Sequence, residues 1–224
     1  MEDIELNEIW KQYDSRLQEA RILNLQSWAL NLQQFERFQK QKASATLNGL
    51  ARYKLVMVAT GILWVAFLIF LVLNSLGWSK IFFVISASAI AIFTSIAIVV
   101  YLKHVWLINK INNAASVIEA QEKTIKLQSS TLQTGRILFL QTPFYCTFWF
   151  TPALFTDKIF LLVNIPVVLF FTCVSVWLYK NINFKNINKK WFKILFNNRE
   201  WTSLTKAISF LYEIEEFKKE IVIK

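Results

Sequence analysis

Four stretches of this chain carry no charged residue, and each is long enough to cross a lipid bilayer. Between Lys54 and Lys80 lie twenty-five such residues, between Lys80 and Lys103 twenty-two, between Arg136 and Asp157 twenty, and between Lys158 and Lys180 twenty-one. At about 1.5 Å per residue, a helix of roughly 20 residues matches a hydrocarbon core about 30 Å thick. A large soluble helical core would instead interrupt its apolar stripes with charges on the opposite face. The pattern predicts an all-α, polytopic membrane protein with two transmembrane hairpins. The first comprises spans at 53–73 and 81–102, the second spans at 137–156 and 159–179. Residues 1–52, 103–136 and 180–224 then form long amphipathic helices and a basic juxtamembrane segment outside the bilayer.

Charge sorts by side. Near the span ends, Lys40, Lys42, Arg52 and Lys54 precede the first run, and Lys103, Lys110, Lys123, Lys126 and Arg136 fill the central connection. Lys180, Lys185, Lys189, Lys190, Lys193 and Arg199 follow the fourth run, whereas the two short connections hold only Lys80 and Lys158. Fifteen against two puts both termini and the centre in the cytoplasm by the positive-inside rule. The net charge of +10 therefore reads as topology and attraction to anionic headgroups, not as a nucleic-acid surface.

The N-terminal segment has helical spacing at Leu6, Trp10, Tyr13, Leu17 and Ala20, and resumes after a slip at Leu25, Trp28, Leu32 and Phe35. Such a slip locally unwinds or bends a coiled coil. Trp10, Tyr13 and Leu17 are the candidate partner face. In the centre, Leu107, Ile111, Ala114, Ile118, Ile125 and Leu132, with Gln121 and Gln128 between them, make a heptad seam. Ile111, Ile118 and Ile125 are its candidate binding residues, facing the N-terminal helix, a second copy or a cytoplasmic regulatory protein. Glu119 with Lys123 and Glu122 with Lys126 support the helix, as does Glu36 with Lys40. Both ends of this centre must lie near one membrane surface. Asn112 and Asn113 offer a break without Gly or Pro, but the favoured reading continues the second span as one helix that returns near Ser129 to Gly135.

The third run is the weakest span, because Gln141, Thr142, Pro143, Thr147, Thr151 and Pro152 interrupt it. A kink at Pro143 is expected, with a re-entrant segment as the alternative. Gln141 and Asn164 are candidate polar intramembrane residues, lining a path or satisfying local backbone. Ala87, Ala91 and Ser95 form a small-residue stripe suited to close helix contact. Lys185, Lys189, Lys190, Trp191 and Lys193 are candidate contacts to lipid headgroups, with Trp191, Phe192, Leu195 and Phe196 dipping into the interface. Asn197 with Glu200 resembles a capping box for a last helix.

One histidine, four glycines and two cysteines, Cys146 and Cys173, both inside apolar runs, supply no histidine metal site and no phosphate-binding loop. No cofactor and no enzymatic chemistry are expected. The segments Ile9 to Asp14, Gln121 to Lys123, Leu127 to Ser130, Leu140 to Tyr145, Lys189 to Trp191 and Glu200-Trp201 resemble an uncharacterised family of inner-membrane proteins of Bacteroidota bacteria. That resemblance implies a bacterial inner-membrane protein accompanying sigma-factor systems, in an anti-sigma-like or signalling-adaptor role. The zinc-binding His and Cys cluster of many anti-sigma domains is missing here. The expected function is a membrane-anchored scaffold or adaptor, with a small transporter or channel subunit as the alternative.

Overall fold

The computed structural model describes the backbone of residues 2–222 and the side chains of residues 10, 11 and 13–217, so Leu6 lies outside the described side chains. Among the described residues every regular element is a helix: α1 (Glu2–Leu73), α2 (Ile81–Asn112), α3 (Val117–Phe139), α4 (Thr142–Thr147), α5 (Lys158–Asn181), α6 (Lys190–Leu195) and α7 (Arg199–Val222). Helices within Tyr13–Leu73, Trp78–Asn112 and Lys158–Asn181 are long and apolar enough to cross a membrane.

The first proline of the chain is Pro143, so nothing before Asn74 breaks the backbone ladder of α1. Its 72 residues make one rod of roughly 110 Å. α2 packs antiparallel along its second half. Gly61 lets the two helices approach closely: a Cβ there would stand 3.1 Å from Ile98 Cγ1. Further down the same hairpin Leu68 packs with Ala87 and Ile90.

The central connection departs from the favoured single helix. α2 ends at Asn112 and the chain reverses over 113–116, at the pair of asparagines rather than near Ser129. The cause is a capping box. Ser116 Oγ accepts from the Glu119 amide (3.1 Å), and the Glu119 carboxylate accepts from the Ala115 amide (3.0 Å), so two otherwise orphaned donors are satisfied. Because α3 starts afresh at Val117, its buried face is led by Val117, Ala120, Thr124, Leu127, Thr131 and Thr134, one position ahead of the heptads projected from Leu107, while Gln128 and Leu132 of the expected seam are buried beside it. Val117, Ala120 and Leu127 of this face, with Ala43, Leu47 and Leu50 of α1, Ile108 and Ile111 of α2, and Leu204, Ala207, Leu211 and Ile214 of α7, build a four-helix bundle. α7 lies antiparallel to α1, with Gln39 Nε2 donating to Glu213 and the Phe217 ring tilted against Phe35 at 4.4 Å between centroids.

The third run is no single helix. It is the end of α3, the two-turn α4, and a 3-10 segment at Pro152–Thr156. Pro143 and Pro152 each open a new element, as expected for residues without a backbone N–H. Hydroxyls take up the freed carbonyls: Thr142 Oγ1 donates to Phe139 and Thr147 Oγ1 to Phe144 at 3.3 Å, and Thr147 Oγ1 also lies 2.9 Å from Ser86 Oγ of α2. The broken run still travels the length of α2. It begins beside Tyr101, meets Phe93 through Phe144 and Phe83 through Phe148, and ends where Phe150 and Phe155 gather on Phe82. α5 then returns, capped by Asp157 and reaching Arg136, whose Nε donates to the Tyr179 carbonyl at 2.8 Å.

Phe192 and Phe196 do not dip outward as expected. They stack on each other at 4.4 Å inside a second core with Leu132 and Ile182, because α6 folds back beneath α3 and α5. The cap of α7 is Asn198, not Asn197: its Oδ1 accepts from the Trp201 amide at 2.9 Å.

Candidate functional site

Three features stand apart from plain helix packing, and all lie at the bundle end of the molecule. The first is a buried polar cluster where the bundle meets the apolar helices. Lys54 has no exposed surface, and its ammonium sits 3.0 Å from Glu200 Oε1 and 4.1 Å from the centroid of the Tyr101 ring. α1 brings the lysine, α7 the carboxylate in its first turn, and α2 the aromatic face. A buried ammonium in this setting requires both partners, since desolvating it alone would cost several kcal/mol. His104, one helical turn beyond Tyr101 and past the apolar stretch of α2, is also buried, with Nε2 at 2.7 Å from Ser130 Oγ. Burial pushes its imidazole down to about 3, and the neighbouring Lys54 charge acts in the same direction. His104 is therefore neutral at physiological pH. No sequence signal connects Lys54 with a residue 146 positions away.

The second feature is a cavity of about 330 Å³ beside this cluster, reached by Tyr101, Thr131, Gln141, Thr142 and Glu200. Gln141 thus lines a cavity, but Asn164 does not join it. The Asn164 amide donates to the Phe160 carbonyl one turn back in its own helix, at 3.1 Å. The two amides form no common polar path.

The third is the free portion of α1. Every described side chain from Trp10 to Asn31 is exposed, over about 30 Å of helix. Trp10 is 65% exposed, Tyr13 60% and Leu17 51%, and Leu23, Leu25 and Trp28 continue the apolar surface. The expected central-seam residues divide. Ile111 is buried in the bundle, packed in the same core as Leu47 and Leu50 of α1, and so is closed to any outside partner. Ile118 and Ile125 face outward, because the buried face of α3 is the one led by Val117 and Ala120.

Lys185, Lys189, Lys190 and Lys193 are exposed, while Trp191 is half-buried with its ring 5.0 Å from Trp177. The lysines remain free to meet headgroups; the tryptophan is mainly a packing residue. Among the described residues no cluster of His, Cys, Asp or Glu is arranged to hold a metal ion. Glu119, at the start of α3, is held below the usual carboxylate range first by the Lys123 ammonium and then by the Ala115 amide, which keeps the cap charged.

Comparison of the chain with protein-family models, with curated proteins and with solved structures found no match.

Proposed function

We propose that this protein is a bacterial inner-membrane adaptor: two hairpins anchor it, both termini are cytoplasmic, and the projecting turns of α1 dock a cytoplasmic regulatory protein. The observation that carries the reading is the apolar surface at Trp10, Tyr13 and Leu17, which no described residue of the chain covers. An isolated surface helix normally turns one apolar face to its own core. Here that face stands beyond the end of the bundle, so its burial has to come from another molecule.

A second copy fits poorly. Two copies in one membrane bring their α1 helices together in parallel. With Trp10, Tyr13, Leu17 and Ala20 in the seam, Arg16 and Arg21 occupy flanking positions that face each other across a parallel pair. Like charges there disfavour pairing. A different helix with carboxylates opposite Arg16 and Arg21 would turn the same positions into ion pairs. The exposed lysines of 185–193 support an anionic bilayer beside the bundle. A transporter reading gains nothing from Asn164, whose amide is used within its own helix.

The test is photo-crosslinking in intact cells from probes at Trp10, Tyr13 and Leu17, with Glu19 on the opposite face as control. The adaptor reading expects a discrete heterologous adduct from the first three positions, absent at Glu19, and lost on Leu17→Glu with membrane insertion intact. Only self-adducts, or equal adducts from all four positions, would remove it.

A further inference from the structure

The row of threonines buried along α3 contains an anomaly. Thr124 and Thr134 return their hydroxyls to carbonyls one turn back, the ordinary way of making a threonine acceptable in a core. Thr131 lies between them, is 5% exposed, and has no hydrogen-bond partner for Oγ1. It lines the 330 Å³ cavity, and so does Gln141, whose buried Oε1 also lacks a partner. Glu200 adds a carboxylate to the same wall, with one oxygen held by Lys54 and a further hydrogen bond from the Tyr101 side chain, so Thr131 and Gln141 are the open acceptors. An unpaired buried oxygen is costly, so Thr131 and Gln141 leave acceptor positions in the cavity that no described residue fills.

Leu138, Phe139, Leu195 and Phe196 give the cavity an apolar side, and Tyr101, Thr142, Tyr145 and Asn198 also line it. Its position is the bilayer edge, because Tyr101 ends the second uncharged run and Gln141 lies near the start of the third. An amphiphile with donors at its polar tip matches both walls. Lys54 already neutralises Glu200, so the ligand needs donors but no net positive charge.

We propose that this cavity binds a phospholipid headgroup bearing hydrogen-bond donors, an ethanolamine ammonium or a glycerol diol, which donates to Thr131 and Gln141 beside the Glu200 carboxylate. A choline headgroup has no donor and is excluded by the same chemistry. The inference is independent of the adaptor reading and requires only that the chain sits in a bilayer.

The experiment is native mass spectrometry of the full chain released from micelles holding equal amounts of phosphatidylethanolamine, phosphatidylglycerol and phosphatidylcholine. One or both donor-bearing lipids should be retained over phosphatidylcholine by about tenfold, the worth of one buried hydrogen bond. Which of them is retained identifies the source of the donor. Thr131→Val keeps the side-chain shape and Gln141→Leu removes the amide, and each should bring retention close to that of phosphatidylcholine. Thermal midpoints recorded on the same samples distinguish lost selectivity from unfolding. Equal retention of all three lipids by the unaltered chain would overturn the proposal, and so would a preference unchanged in both variants.

Discussion

The Lys54 ammonium and the Glu200 carboxylate, 146 positions apart, meet at 3.0 Å with Lys54 wholly buried. Lys54 stands just before the first uncharged run, and Glu200 follows the fourth. If the three long apolar helices were the only crossings, the two would face opposite sides of the bilayer. The four-crossing arrangement proposed above, in which the broken third run crosses as well, keeps them on one side, and its ring contacts with Phe93, Phe83 and Phe82 of α2 support that path.

Removing one partner of this pair leaves the other charge buried. Lys54→Met should destabilise the chain by about 3–5 kcal/mol, whereas Lys54→Met combined with Glu200→Leu should cost far less. Thermal unfolding of the three proteins in one detergent measures this. Equal losses in the single and double variants would mean that the pair contributes only packing.

Stability should fall on acidification below about pH 6.5, where an unfolded histidine begins to charge. His104 is held down to about 3 in the fold, so between these values the unfolded chain binds more protons. Each pH unit within that window removes about 1.4 kcal/mol. His104→Gln should flatten the dependence of the thermal midpoint on pH between 6 and 4. An unchanged slope would place the titration elsewhere.

Gly61→Ala gains helix propensity but drives a methyl to within 3.1 Å of Ile98 Cγ1. Alone it should loosen the α1–α2 contact. On an Ile98→Ala background the same change should become stabilising, a coupling of about 0.5–3 kcal/mol. Additive effects would mean that Gly61 is not where the helices touch.

Much of the architecture is legible in residue patterns. The uncharged runs mark the apolar helices, and the prolines mark where the third run breaks. The turn at Asn112 and Asn113 was less visible, because it depends on Ser116 and Glu119 acting together three residues apart, within a sequence that also reads as unbroken heptads. That cap turns Val117 and Ala120 inward, so Ile118 and Ile125 do not meet the N-terminal helix and remain on the outer surface of the bundle. Phe192 and Phe196 carry an ordinary interfacial signature; only the fold-back of α6 under α3 encloses them. The Lys54 and Glu200 pair had no local signal at all. Its lysine looks like a flanking charge and its glutamate like part of a cap, and long-range pairing leaves no periodicity to read.

The crossing of the third run is the claim on which the rest depends. It is tested most directly by labelling intact cells with an impermeant thiol reagent, with Cys146 and Cys173 replaced and single cysteines at Ser79, Ser129 or Ser209. Labelling at Ser79 alone is the predicted result, with Ser129 and Ser209 reacting only after the membrane is opened. Labelling at Ser209 in intact cells would put α7 outside the membrane face that holds the N-terminal half of α1, and would contradict the Lys54 and Glu200 contact itself.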